Sequence, residues 1–441
     1  MVCDGEKAGV NMHDVVGHWH THTPALFETL PDDALLERVQ RQTFGFFWDL
    51  SHPQSGMARD RANERTGDEN TLVCAGGTGF GVMAMIVAVE RGWITRADAI
   101  ARLEKILSFL ESADCYRGVF PHYFNANTGE EFTWWQGNAG GDIVETAFLM
   151  TGLLSARQYF AGAEETEASL RRRIDRLWHR VEWDFFTDNE NVLIWHWGYK
   201  HGWATRHRIE GWDECLIAYV LGASSPTFST GPDPYHIGWT AGRTFRNKKK
   251  FYGHQLPLGP DYGGPLFFSH FPFLGLDPRG LKDRYGDYQK QVTAHSLIHY
   301  EHCVQNPNGY AGYGPNCWGM TSSDGNEGYA AHQPSLDKGV IAPTAALSSF
   351  PYTPEQSMRA LKHFYFDLGD RIWGQYGFRD AFNETAGWVA QDYLAIDQGP
   401  IVVMMENYRT GLLWRLFMSC PEVQEGLDKL GFKPRPAPAV A

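Results

Sequence analysis

NAGGDIVETAFLMTGLL, residues 138–154, is a pair of glycines, an aspartate and then a nearly all-apolar run broken early by Glu145. The run is long enough for a helix and apolar on most of its sides, which predicts a helix buried within a large protein. Asp142 and Glu145 stand three residues apart, so they share one face of its first turn. Their bland use is as an N-cap, Asp142 accepting orphan N–H bonds and Glu145 completing a capping box. The arrangement recurs, however. Trp212-Asp213-Glu214 opens CLIAYVLGAS, and Asp397-Gln398-Gly399-Pro400 opens IVVMMENYRTGLLWRLFM. Three buried helices thus carry carboxylates at their entrances.

Outward from that stretch, charged amphipathic segments alternate with apolar ones. The apolar members are 78–91, 142–159, 213–222, 265–276, 343–350 and 400–417; the charged members are 32–50, 95–113, 166–183, 235–247, 286–304 and 354–370. Six pairs predict an all-α (α/α)6 toroid, with inner helices covered on all sides and outer ones wet on one face. Parallel inner helices would gather Asp142, Glu145, Asp213, Glu214 and Asp397 at one rim. No short fixed period marks an open solenoid. The expected layout is an N-terminal arm over 1–30, a single catalytic domain over 31–433 and a tail over 434–441.

Aromatic residues make up 14% of the chain, with 16 Trp, and many lie in the long loops before the apolar helices. Rings among polar groups suit sugars, whose C–H faces stack while their hydroxyls hydrogen-bond. The candidate sugar-binding residues are Trp134, Trp135 and Gln136; Trp195, Trp197 and Tyr199; Trp212; Phe268 and His270; and Trp318 with Asp324. Asp324-Gly325 is equally a plain turn. Glu406 and Arg409, three apart in an apolar helix, are expected to form a buried ion pair.

A net charge of −13 with no basic stripe argues against nucleic acid or anionic membrane as partner. Lys248-Lys249-Lys250 reads as a solvated loop. Seven scattered cysteines without a C-x-x-C predict buried free thiols. His18, His20 and His22 have no further ligand cluster nearby in sequence, so neither metal nor cofactor is expected. Gly76-Gly77-Thr78-Gly79-Phe80-Gly81 lacks the preceding strand and later acid of a dinucleotide fingerprint. The start lacks the basic and apolar regions of a signal peptide. That predicts a cytoplasmic chain if the sequence is whole, and a periplasmic or secreted one if a signal has been removed.

Several carboxylates, many rings and no phosphate motif suit hydrolysis of a glycosidic bond, which needs one protonated and one ionised carboxyl. Glu214, beside Asp213 and Trp212, has the setting of a raised pKa and is the expected general acid. Asp142 is the first choice for the base, with Asp397 and Glu145 as alternatives or sugar-positioning groups. A glycoside hydrolase of another glycan specificity, a phosphorolytic or transglycosylating relative, a polysaccharide lyase and a non-catalytic glycan-binding protein stay open.

GGDIVETAFLMTGLL, GWDECLIAYVLGASSPT, WGMTSSDG, PTAALSSFPYTPEQSMRAL and AIDQGPIVVMMENYRTGLLW resemble the glucoamylase-like domain, the group containing glycoside hydrolase family 144, the bacterial β-1,2-glucanases. The resemblance runs from about Leu36 to Phe432. It implies an (α/α)6 barrel and inverting hydrolysis of β-1,2-glucan or its oligosaccharides (sophorooligosaccharides). Asp142, Glu145, Glu214 and Asp397 match the acidic pocket of the family. Asp213 departs from it, standing where the pattern implies Asn.

Overall fold

The computed structural model describes residues 29–63, 71–134, 139–203 and 205–433. Its helices are α1 (Asp32–Asp49), α2 (Ala75–Glu90), α3 (Arg96–Ser112), α4 (Ile143–Tyr159), α5 (Glu165–His179), α6 (Leu216–Ser224), α7 (Tyr288–Gln305), α8 (Pro343–Leu347), α9 (Pro354–Lys362), α10 (Gly369–Ile372), α11 (Ala395–Arg409), α12 (Leu412–Met418) and α13 (Pro421–Lys429). Residues 1–28 and 434–441, with the His18, His20 and His22 motif, lie outside the described residues, as do Trp135 and Gln136.

The apolar helices are central. In α2 and α4 every residue from Ala75 to Ala88 and from Ile143 to Ala156 is buried. A stripe of apolar residues would need one covering neighbour, whereas helices apolar all round need several. Accordingly α2 packs on α4, on α11 and on α1; α4 also packs on α6, and α11 on α8. The closest approach is between α2 and α4. A Cβ on Gly79 would lie 2.3 Å from the Phe148 carbonyl oxygen, and one on Gly152 would lie 2.2 Å from that of Gly79. Side chains at those two positions would force the helices apart.

The charged helices lie outside and bury one face each. In α3 that face is Ala99, Leu103, Ile106, Leu107 and Leu110, and its start is capped by Thr95 Oγ1, which accepts from Asp98 N at 3.1 Å. In α5 it includes Leu170, Ile174, Leu177 and Trp178. α3 leans on α2, α5 on α4 and α9 on α8.

Several expected helices are shorter or broken. Residues 265–276 form two 3-10 turns, Leu266–Ser269 and Phe271–Leu274. Pro272 has no N–H to offer a longer helix. The expected 235–247 helix is a π turn, Pro234–Gly238, followed by a 3-10 turn, Trp239–Ala241. The segment expected over 400–417 starts a turn earlier, at Ala395, whose N–H donates to the Asp60 carbonyl. It breaks at Gly411, where φ is +70°, so Asp397 lies inside the first turn of α11.

Glu406 and Arg409 do not pair. Glu406 is bound by Arg91 from the neighbouring α2 end at 2.8 Å, and Arg409 reaches Glu37 on α1 at 2.9 Å. The two ion pairs tie three helices together instead of closing within one.

Seven small sheets of two or three strands also occur among the described residues, none of them anticipated. One pairs Arg61–Ala62 with Tyr393–Leu394, joining the early chain to the lead-in of α11; another pairs Gly141–Asp142 with His196–Trp197. Both hold acidic residues at helix starts. The six described cysteines are free, five of them buried. No described helix is long and apolar enough to cross a membrane.

Candidate active site

Asp142 ends a two-residue strand and caps α4. Its Oδ1 accepts from Val144 N and Glu145 N, both at 3.0 Å, and from Trp195 Nε1 at 2.9 Å. Its Oδ2 faces His122 Nδ1 at 3.2 Å and His196 Nε2 at 3.1 Å. Five nitrogen partners therefore crowd a carboxylate with about four lone-pair sites. Burial pushes its pKa up, but His196 and His122 outweigh that and hold it well below the usual carboxylate range. Burial pulls the other way on His122, yet Glu145, Asp142 and Asp60 raise it to about 9. Asp142 is a fixed anion holding a charged imidazole. The expected base therefore has both oxygens engaged, Oδ1 by three N–H donors and Oδ2 by the two imidazoles.

Glu145 does not complete a capping box. Its Oε2 accepts from Gly76 N at 2.8 Å, across the α2–α4 contact. A Cβ on Gly76 would stand 2.4 Å from that oxygen, so only glycine admits the carboxylate there. The Oε1 atom lies 3.7 Å from His122 Nε2. Burial raises the Glu145 pKa to about 7, against the pull of the His122 charge.

Glu214 precedes α6. Solvent still reaches it, although protein surrounds it as closely as it does a core group. A carboxyl at the bottom of a narrow recess has both properties. Its pKa is raised well above normal by that crowding, then by Asp213, with Glu145 and Asp142 adding to it. Asp142, Glu145 and Glu214 therefore lie within electrostatic reach of one another. Burial raises Asp213 to about 6, while its Oδ1 accepts from Cys215 N at 2.9 Å and Trp239 Nε1 at 3.3 Å.

Asp397 belongs to a second cluster. It is 2% exposed and lies in hydrogen-bonding contact with Asp380, also 2% exposed. Asp380 Oδ2 accepts from Asp324 N at 2.7 Å, while Asp380 Oδ1 and Asp397 Oδ2 find no donor among the described residues. A proton held between the two carboxyls replaces their mutual repulsion with a hydrogen bond. Two buried carboxylates in contact cannot both ionise at neutral pH. Burial raises Asp380 to about 7; burial and then Asp380 raise Asp397 well above normal. Asp324 completes the cluster through Arg61 Nη1 at 3.3 Å, and Arg61 also reaches Asp392 at 3.4 Å. Asp60 feels both His122 and Arg61, which places it between the clusters.

The expected sugar-binding residues divide. Trp134 and Tyr199 are 65% and 70% exposed, and Trp197 touches Tyr199 edge-on. A pocket of about 390 Å³ opens beside Trp134, Gly140 and Gly198, next to the strand that carries Asp142. Trp195 and Phe268 are half-buried, the former bonded to Asp142. Three others are corrections. Trp318 is fully buried, its N–H on the Gln356 carbonyl and its ring edge-on to Tyr300; Trp212 packs on Trp239 and Tyr288; His270 bonds Ser349 in the core. A polar neighbourhood in sequence does not keep a large ring from filling the core.

Three residues around the acids escaped the sequence reading, His196, Asp380 and Arg61, while His122 was expected on the loop leading to residues 138–154 but without a role. His196, between Trp195 and Trp197, carried the only local hint, being a polar residue alternating with rings.

Residues 206–421 match the family model described as "Putative glucoamylase". The endo-β-1,2-glucanase of Chitinophaga pinensis, solved with sophorotriose and glucose, is 51% identical, superposes with a TM-score of 0.90, and is covered over 99% of its length by 92% of this chain. The chain belongs to the glucoamylase-like family. A putative glucoamylase from Bacteroides uniformis has the same TM-score at 52% identity, again over 92% of this chain and 99% of that one. The exo β-1,2-glucooligosaccharide sophorohydrolase (non-reducing end) of Parabacteroides distasonis is 41% identical over 423 residues, 91% of this chain. This member of the glucoamylase-like family spans 58% of the length of that curated relative.

Proposed function

We propose that the chain is a glycoside hydrolase that cleaves β-1,2-glucan or its oligosaccharides with inversion at the anomeric carbon. Its domain, residues 31–433, is an (α/α)6 toroid with the acids and the aromatic loops at one rim. Supporting that closure, α2 touches α4 and α11, while the turn Phe271–Leu274 touches α6 and α11. Supporting the substrate, two relatives are named for β-1,2-linked glucose chains.

The observation that carries the reading is the gathering of Asp142, Glu145 and Glu214 around His122 and Asp213, in surroundings that push their proton affinities apart. Glu214, crowded and next to Asp213, keeps a proton and is the general acid. Glu145 is the base: one oxygen is held by Gly76 N–H and the other is left toward His122, whose charge favours the ionised form. Asp142 locks His122 in place, and Asp397, paired with Asp380, acts on the sugar only through that pair. A lyase would need a neutraliser for a uronate carboxylate, and an acid-rich cleft repels that group.

The test is hydrolysis of β-1,2-glucan followed by NMR of the first product. The α anomer is expected; a β anomer, or an unsaturated product, overturns the reading. Glu214→Gln should lose about 10²–10⁴-fold on glucan but far less on a glycosyl fluoride, which needs little acid help. Glu145→Gln should lose comparably on both.

A further inference from the structure

Three side chains from separate segments, none of them a member of the Asp142 or Asp397 cluster, converge elsewhere in the fold. They are Cys317, after α7; His363, at the end of α9; and Glu384, in the hairpin that pairs Phe382–Asn383 with Trp388–Val389. One ligand atom from each lies within 4.8 Å of the others. We propose that Cys317, His363 and Glu384 form a zinc site, three protein ligands with water completing a tetrahedron.

The donor set argues for the ion class. Thiolate, imidazole and carboxylate together suit Zn(II), whereas Ca(II) and Mg(II) take oxygen alone. The partners of each group argue the same way. The Cys317 thiol and the Glu384 carboxylate make no hydrogen bond or ion pair with any described residue. His363 uses only Nδ1, which meets Asp367 Oδ2 at 2.8 Å. A carboxylate on Nδ1 fixes the tautomer that leaves the Nε2 lone pair for a metal, the usual support of a zinc-bound imidazole. Cys317 is held in place by a backbone bridge to Gly314, its N–H and carbonyl both used at 3.1 Å. The thiol is buried and the other two groups are partly open, so an ion can enter and keep a water. A second trio, Asp213, Glu214 and Cys215, is three consecutive residues inside the acidic site already described and carries no separate inference.

Binding would exchange one proton for the ion. The Cys317 S–H bond breaks as the S–Zn bond forms, and the proton leaves to solvent, so affinity should rise with pH. The ion would tie the loop that runs on to Asp324 to the hairpin four residues beyond Asp380. It would brace the backbone on both sides of the Asp380–Asp397 pair, without touching the reaction.

The test is titration of the full chain, stripped with a chelator, with Co(II) and then Zn(II). One equivalent of Co(II) should give a thiolate-to-cobalt charge-transfer band, which Zn(II) should abolish, and Zn(II) should raise the Tm. Cys317→Ser should remove the band. Glu384→Gln, on the hairpin, should fold normally and bind about tenfold or more weakly, as should Asp367→Asn. The proposal is overturned if the wild-type chain gives no such band. It is equally overturned if the band survives in Cys317→Ser, which would move the ion to another thiol, or if Glu384→Gln binds like wild type.

Discussion

Asp142 and Asp397 both stand at the start of central helices, both are almost sealed from solvent, and their surroundings are opposite. Five nitrogens converge on Asp142, two of them from histidines. Asp397 faces another carboxyl and finds no donor for Oδ2. The first is held ionised and the second holds a proton. Burial raises both; the sign of the outcome is set by what the neighbouring segment brings. Near Asp142 the neighbours are the loop before Tyr123 and the Trp195–Trp197 strand. Near Asp397 they are the Asp324 loop and the Asp380 turn. A helix start is only a place; the loops decide the protonation state.

The largest effect expected on this comparison is at Trp318, six residues before Asp324. Its ring is fully buried, so Trp318→Ala should cost about 3–5 kcal/mol by opening a cavity. Denaturant melts read this directly, and the KM of the surviving enzyme should stay near normal. A stable variant with a raised KM would return Trp318 to the substrate and detach the Asp397 side from the core.

Asp142→Asn comes next. It keeps the cap but removes the anion, so the His122 pKa should fall from about 9 toward its ordinary value. Turnover should drop about 10²–10³-fold, the usual cost of losing a preorganised charge partner. Near-normal turnover with an unshifted His122 titration by NMR would break the contrast between the two aspartates.

Acid stability follows. His270, His295 and His299 are buried neutral, with burial depressing the first two to about 3 and about 4 and the third well below normal. An unfolded histidine binds a proton below about pH 6.5. Stability is therefore fully present above that pH and lost as the pH falls toward 4. Unfolding free energy measured from pH 7 to 5 should decline; a flat profile would show that water reaches these rings.

The helical plan was legible because it rests on local pattern. Residues 143–156 are apolar on every side and are buried on every side, and the stripes of α3 and α5 face inward as their spacing required. The acids at the helix entrances were legible for the same reason. What sequence could not carry was pairing across long separations. Asp380 meets Asp397 through a turn, Glu406 chose Arg91 over its own helix neighbour Arg409, and Arg61 joins Asp324 from the other end of the chain. Trp318 was misread because Gly, Ser and Asp around a ring look like a rim, whereas the backbone turns there to send the indole inward.

The smallest effect, and the sharpest on the comparison, is Asp380→Asn. In the wild type the folded pair keeps a proton that an unfolded aspartate releases above about pH 4. Its contribution to stability is fully present below that pH and is lost as the pH rises through the folded pKa of Asp380, about 7. An asparagine at 380 can still accept from Asp324 N with its carbonyl, while its amide, in place of the unpartnered Asp380 Oδ1, donates toward the Asp397 carboxyl without needing a proton. The variant should gain about 1 kcal/mol over wild type at pH 8, the worth of one hydrogen bond. It should lose that advantage by pH 4, where the wild-type pair is fully protonated. If Asp380→Asn is equally destabilised at pH 4 and pH 8, the pair shares no proton. Asp397 would then be an ordinary anion like Asp142, and the contrast between the two helix starts would collapse.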